Sequence, residues 1–362
     1  VRFRNPDIGP IAVDIGGRTV RVMQLRRRRE GKNYRSQVIC AAHREVGIKD
    51  VDQPDALREA LIDAVRECRF HRRTAVTCLP FTDVGIKNIR LPDMPDDELQ
   101  SAALLEARER FSNLGDDLVL RVMPIGLVGA EADPRHEVMI LAAKPQAIDT
   151  RLNMLTDAGF EVAGIEPASS AFFRPVQRFQ QRASDIGAPN AMVEIGYRGS
   201  QIILSRGSEI VFVKQCEAGG RQIDEAIAEA ARVPIEEASA TRCRNWVAED
   251  QAGWSPEVTS AAGEIVRKLA KEVNLSLRYF AVTFRGDKPS EVLCGGREAS
   301  PALVKMMTGE LEAPVSVIDP LRGIDDGGFF GDDRRGRDKA AWTRVLGLAL
   351  RTPLRLGARK VA

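Results

Sequence analysis

Two segments of this chain end a short apolar strand in a carboxylate and follow it with glycine. Val13-Asp14-Ile15-Gly16-Gly17-Arg18-Thr19-Val20-Arg21-Val22 is echoed by Val193-Glu194-Ile195-Gly196-Tyr197-Arg198-Gly199-Ser200-Gln201-Ile202. In each, the strand turns at glycine and a second apolar strand runs back. Glycine lets backbone N–H groups approach anionic oxygens with no Cβ in the way, which suits phosphate. A carboxylate does not bind phosphate directly, but it holds a divalent metal through water, and the metal bridges the phosphates. Asp14 and Glu194 are the candidates for that task, with Arg18, Thr19 and Arg21 adding hydrogen bonds and charge. One such hairpin is an ordinary tight turn. Two, each opening a half of the chain, predict duplicated lobes that close on a phosphate chain from both sides.

The elements that must position these residues alternate between strand and helix patterns. After the first hairpin over residues 11–25, a third strand is expected over Gln37 to Ala42. Leu57, Leu61, Ala64, Val65 and Cys68 then fall on one helical face, and Pro54-Asp55 supplies the start signal. Thr74 to Leu79 reads as a buried strand. From Pro80 onward a β-α-β-β-α-β pattern runs to Ile165 and reads as an insertion with its own small core, followed by a helix from Ala168 to Arg182. The polar stretch Ser184 to Asn190 marks a boundary before the second hairpin. Helices are expected at Ile223 to Ala231, Ile235 to Glu249, Pro256 to Thr283 and Pro301 to Leu311, with strands at Ile210 to Gln215, Glu291 to Cys294 and Val315 to Ile318. The Gly-, Asp- and Arg-rich residues 323–338 read as a linker, and Ala340 to Arg351 as a last apolar helix.

Bulk composition narrows the class. At 362 residues the chain exceeds one ordinary core, so two domains are the expected minimum. A hydrophobic fraction of 44% and a charged fraction of 29% are those of a soluble globular protein. Net charge is only +2 with the two signs interspersed, so nothing demands nucleic acid as a partner. The basic runs Arg26 to Arg29 and Arg334-Arg335-Gly336-Arg337 read as solvated loops. Six cysteines without CxxC spacing argue against a metal cluster or a disulfide framework, as in a reducing cytoplasm. His43, His71 and His136 have no metal-ligand pattern around them. No leader pattern and no long apolar run is present, so the chain is expected to be cytoplasmic, neither exported nor membrane-spanning.

Order along the chain raises the value of the hairpins. Hairpin, hairpin, Gly219-Gly220 at one helix start and Gly295-Gly296 at another resemble the actin-like ATPase superfamily. There the order is first phosphate loop, second phosphate loop and adenosine loop, the last corresponding to Leu293-Cys294-Gly295-Gly296. Within that superfamily the chain is similar, over nearly all its length, to the type IV pilus assembly protein PilM family. Val13-Asp14-Ile15-Gly16, Leu79-Pro80, Ile89-Arg90-Leu91-Pro92-Asp93-Met94, Asp97-Glu98-Leu99 and Glu106-Ala107 carry the first part of the resemblance. Leu141-Ala142-Ala143-Lys144, Ala158-Gly159-Phe160, Ile165-Glu166 and Ala171 continue it. Gly219-Gly220-Arg221-Gln222-Ile223, Glu236-Glu237-Ala238, Asp319-Pro320-Leu321 and Gly347-Leu348-Ala349-Leu350-Arg351 complete it.

The resemblance implies an α/β actin-like ATPase fold of two duplicated ribonuclease H-like lobes, with a small inserted α+β domain as in the division protein FtsA. It assigns 1–79 with 166–185 and 340–351 to the first lobe, 80–165 to the insert, 186–322 to the second lobe and 323–339 to a linker. By the same resemblance the last helix packs back on the first lobe. The implied ligands are ATP and Mg2+, contacted by Asp14, Gly16, Gly17, Arg18, Thr19, Arg21, Glu194, Gly196, Tyr197, Gly219, Gly220, Ser239, Arg242, Gly295, Gly296 and Arg297, with the metal held through water by Asp14 and Glu194. The implied partner is the N-terminal cytoplasmic tail of a PilN-type inner-membrane protein, which the chain would couple to the pilus motor complex, and self-association is a further expectation. Leu91 to Leu105 is the region implied for the peptide groove.

Several positions depart from the family's nucleotide site. Glu194 stands where aspartate is usual, and Tyr197-Arg198-Gly199-Ser200 lacks the usual small hydroxyl and acidic residues. Ser239 and Arg242 replace the usual Glu-x-x-Lys facing the ribose, and Arg297 is bulky where backbone should approach the base. Together these changes predict weakened or lost hydrolysis, unless Arg242 and Arg297 rebuild the pocket with other contacts. Two other functions fit the same superfamily. A small-molecule kinase needs a carboxylate base between the lobes, for which Glu166 and Glu217 are the candidates. An FtsA-like filament protein normally carries an amphipathic membrane helix after a linker.

Overall fold

The computed structural model describes residues 8–30, 33–51, 53–115, 117–130, 133–179, 188–247, 254–284, 288–330 and 338–351. The boundary expected at 184–187, the basic run at 334–337 and the central part of the expected linker lie outside the described residues.

Three strands open the chain: β1 (Ile8–Ile15), β2 (Thr19–Glu30) and β3 (Asn33–Glu45). Helix α1 (Pro54–Glu67) carries its proline in the first turn, where a missing N–H costs nothing, and leads into β4 (Thr74–Leu79). Next come β5 (Gly85–Pro92), α2 (Asp96–Arg110), β6 (Val119–Ala130) and β7 (Asp133–Ala143). Asp96, Asp97 and Glu98 in the first turn of α2 and Arg108 and Arg110 in its last complement the helix dipole. The chain continues through α3 (Pro145–Asp157), β8 (Glu161–Pro167) and α4 (Ala168–Gln177). The second half holds β9 (Pro189–Ile195), β10 (Ser200–Arg206), β11 (Glu209–Cys216), α5 (Gly220–Ala231), α6 (Ile235–Val247) and α7 (Pro256–Phe284). It ends with β12 (Val292–Gly295), α8 (Pro301–Thr308), β13 (Val315–Val317) and α9 (Thr343–Ala349).

These strands form two five-stranded sheets of identical design. One runs β3-β2-β1-β4-β8 and the other β11-β10-β9-β12-β13. In each, an antiparallel three-stranded meander is extended by two parallel strands reached through helices. Register is also shared at the critical turn: Asp14 lies opposite Arg21 and Glu194 opposite Gln201. The central strands are nearly all apolar because helices or neighbouring segments cover both faces.

The block expected over 80–165 divides. β5, β7 and β6 form a separate three-stranded sheet, and α2 packs on one face of it through Leu99, Ala103, Ala107 and Phe111. β8, by contrast, pairs with β4 as the last strand of the first large sheet, and Met154 and Leu155 of α3 join that lobe's core. Helical and strand periodicity reports each element's buried face but not which sheet receives it, so this correction was beyond local pattern. The small sheet is bolted to the second lobe: Asn88 donates to the Val211 carbonyl, Arg90 to Thr283, and Tyr279 to the buried Glu137 carboxylate.

α9 lies against β1, β2 and α4, burying Val345, Leu346, Leu348 and Ala349 with Ala12, Met23 and Leu25. A Cβ on Gly347 would sit only 1.6 Å from the Ala171 carbonyl oxygen, so only glycine permits this helix crossing. Residues 323–330, expected as linker, are packed instead. Asp325 bridges to Gln37 beside β3, and Phe330 is buried edge-on against Trp342. The cysteine reading also needs correction. Cys40 of β3 and Cys68 at the end of α1 form a disulfide, brought together across a sequence separation of 28 that no spacing motif marks.

Candidate functional site: an arginine-filled cleft between the lobes

A cleft opens where the two carboxylate hairpins face each other. It is lined by Asp14, Gly16, Gly17, Arg18, Thr19 and Arg21 of the first lobe and by Glu194, Gly196, Tyr197, Arg198, Gly296 and Arg297 of the second. Phe81, Thr82 and Asp83 after β4, Arg151 of α3 and Arg344 of α9 complete it. Six arginines therefore face three carboxylates, Asp14, Asp83 and Glu194.

The centre of the cleft is Arg344. Its Nε lies 2.6 Å from Asp14 Oδ1 and its Nη1 lies 2.9 Å from Glu194 Oε1. All three side chains are buried or nearly so. Burial opposes the guanidinium's charge, but Asp14 and Glu194 outweigh it and hold the group above its ordinary value. Burial likewise pushes the Glu194 carboxyl up, against the pull of Arg344 and of the Gln201 amide that donates to it. Glu194 is thus the partner that takes up a proton more readily than an ordinary glutamate.

The flanks of the cleft are tied across the lobes. Arg18 donates to Ser239 at 3.0 Å, lies over the Tyr197 ring and pairs with Glu45 at 3.1 Å. Arg297 of the second lobe also pairs with Glu45 of the first. Arg198 donates to the Val51 carbonyl at 2.9 Å, and its side chain lies where a Cβ on Gly17 would go.

Arg21 and Arg151 differ from the rest. Both are buried, at 5% and 8% exposure, yet among the described residues neither has a carboxylate within ion-pair distance. Arg21 gives Nη1 to the Thr19 hydroxyl at 2.8 Å, and its Nε has no partner. Arg151 gives Nη1 to the Ile15 carbonyl at 3.0 Å. Burial pulls Arg21 down to about 10 despite Asp14, and it lowers Arg151 too.

The structure gathers only part of the expected site. Gly219, Gly220, Ser239, Arg242 and Gly295 do not line the cleft. Arg242 is fully buried within the second lobe, 2.5 Å from Asp224 and 2.6 Å from Glu298. Arg242 and Arg297 overcome burial to hold the Glu298 carboxyl at about 2. Gly219, Gly220 and Gly295 are packing positions. A Cβ on Gly295 would meet Ile318 and Phe172, one on Gly219 the backbone of Gly199, and one on Gly220 the Glu298 side chain. Four of the expected glycines also have engaged amides. Gly16 N–H donates to Thr19, Gly196 to Gly199, Gly220 to Gly196 and Gly296 to Ala340.

The residues present do not fit a water-held divalent cation between Asp14 and Glu194, because a guanidinium already neutralises both carboxylates. No step is assigned to such a metal. Neither kinase base candidate faces the cleft. Glu166 is clamped by Arg174 at 2.7 and 2.9 Å, and Glu217 is exposed at the end of β11. The residues that sequence reasoning missed are Arg344, Arg151 and Arg198. Arg344 had one visible signal, a lone cation amid the apolar residues of the last helix.

Solved structures show the same architecture. One described as the PilM-PilN type IV pilus biogenesis complex aligns with a TM-score of 0.76 at 20% identity, covering 95% of this chain and 98% of that one. The ethanolamine utilization protein EutJ from Carboxydothermus hydrogenoformans aligns with a TM-score of 0.54 at 14% identity, covering 97% and 92%. The fold is that of the actin-like ATPases. A family model described as type IV pilus assembly protein PilM matches residues 12–353, and the chain belongs to that family.

Proposed function

We propose that this chain is a coupling scaffold of type IV pilus assembly, working at the cytoplasmic face of the inner membrane. It binds the N-terminal tail of a PilN-type membrane protein and links that protein to the pilus motor. Family membership supports the pilus role, and a similar structure is described as a complex of PilM with PilN. Among the described residues no helix is long and apolar enough to cross a membrane.

The observation that carries the binding reading is the set of exposed apolar side chains beside an open strand edge of the small sheet unit. Leu105 of α2 is 73% exposed and Leu127 of β6 is 57% exposed, and Met123 of β6 is also exposed. β6 is an edge strand of its sheet, so an extended peptide has backbone groups to pair with and side chains to pack on. The scaffold reading rests on the arginine contacts that tie the lobes together. ATP enters this reading only through its phosphates, since the residues expected around base and ribose are engaged internally.

The test is titration of a PilN-type tail peptide into the intact protein by calorimetry, with Leu105→Glu as the variant. Binding by the wild type and a loss of at least about tenfold in the variant, about 1.4 kcal/mol, are expected. No binding by the folded wild type removes the reading.

A further inference from the structure

We propose that the cleft is a metal-independent site for a phosphoryl anion, held by the guanidinium groups of Arg21 and Arg151, with Arg344 standing where a divalent cation would. The proposal goes beyond the pilus reading and does not rest on it.

Two buried cations in one cleft without a carboxylate partner are unusual, since a buried charge is costly unless paired. Arg21 comes from β2 and Arg151 from α3, so the pair is assembled by the fold rather than by one helix or loop. Arg21 donates to a hydroxyl and lies over the Trp342 ring, Arg151 donates to a carbonyl, and Arg21 Nε has no hydrogen-bond partner among the described residues. Burial holds both groups below the ordinary guanidinium value, and the pull of Asp14 on each does not offset it. Both line the same cleft, and an anion bound there would lower the cost of burying each guanidinium.

The chemistry of the site selects the anion. Guanidinium forks match phosphoryl oxygens in planar, bidentate geometry and carry more charge than a single carboxylate would balance. A metal–phosphate complex is disfavoured, because Arg344 already neutralises Asp14 and Glu194 and the arriving cation would meet six arginines. A nucleoside gains little. Gly295 and Gly219 are filled by neighbouring protein atoms, Ser239 accepts from Arg18, and Arg242 is enclosed by Asp224 and Glu298. The phosphate half of the fold's usual site is retained and rebuilt from arginine, while the nucleoside half is closed.

The experiment is thermal melting and calorimetry of the intact protein with sodium tripolyphosphate, pyrophosphate or ATP. Each is run in a chelator and again in excess Mg2+, against sodium chloride of matched ionic strength. Ligand binding to the native state alone must raise the melting temperature. Tripolyphosphate is expected to raise it by several degrees in chelator, ATP by no more, and Mg2+ to reduce the rise by competing for the phosphates. Arg21→Gln and Arg151→Gln should each weaken tripolyphosphate binding at least tenfold. A rise that requires Mg2+, a larger rise with ATP than with tripolyphosphate, no rise with any of the three, or unaltered affinity in both variants would overturn the proposal. If Arg21→Gln does not fold, Arg151→Gln and the chelator comparison on the wild type decide it.

Discussion

Arg242 and Arg344 each join two buried carboxylates, and they do so in different places. Arg242 joins Asp224 and Glu298 inside the second lobe. Arg344 joins Asp14 to Glu194, one from each lobe, at the floor of the cleft. The first triad is enclosed on every side and shapes a single domain. The second spans the cleft between the lobes. The same chemistry therefore stays inside one lobe in the first setting and joins the two lobes in the second.

Removing each arginine separates these roles most strongly. Arg242→Ala strips two buried carboxylates of their shared cation and leaves Glu298 only the more distant Arg297, so a loss of about 3–5 kcal/mol or outright misfolding is expected by chemical denaturation. Arg344→Ala should cost less, nearer about 3 kcal/mol, because the lobes can part and admit water or cations. Equal losses, unaffected by added salt, would erase the distinction.

Acid titration sharpens it further. Glu298 is held at about 2, below its ordinary value near 4.5, so its contribution is complete above pH 4.5 and is lost as pH falls toward 2. Glu298→Gln should remove that part of the acid-unfolding slope. Glu194 has the opposite sign. Its raised value means the folded state takes up its proton first, so its ionisation opposes folding and stability recovers as pH falls toward 4.5. Glu194→Gln should accordingly cost the least of these substitutions at neutral pH and flatten the profile on the weakly acidic side. A Glu194→Gln loss as large as that of Glu298→Gln would show that the two triads are alike after all.

Much of the fold was legible because it is written locally. Alternating apolar residues, glycine turns and the order of the two hairpins predicted the duplicated sheets, and α1, α2 and α7 begin where their proline and acidic residues mark the start. The site was legible only in part. Asp14, Arg18, Arg21, Glu194 and Arg297 meet in the cleft as expected. What they meet was not foreseeable, because Arg344 reaches Asp14 from 330 residues away and its neighbours read simply as an apolar helix. Gly219, Gly220 and Gly295, expected around the nucleotide, lie outside the cleft for a related reason. A glycine pair signals close approach of something, and here that something is Glu298, Phe172 or Ile318 rather than a ligand.

The central claim is that Arg344 supplies the cation between Asp14 and Glu194. The most direct measurement is the melting temperature of the wild type and of Arg344→Gln, each in chelator and in millimolar Mg2+. The wild type should be indifferent to Mg2+, and the variant, its two carboxylates now unpaired, should be stabilised by it. A wild type that gains as much from Mg2+ as the variant would contradict the claim.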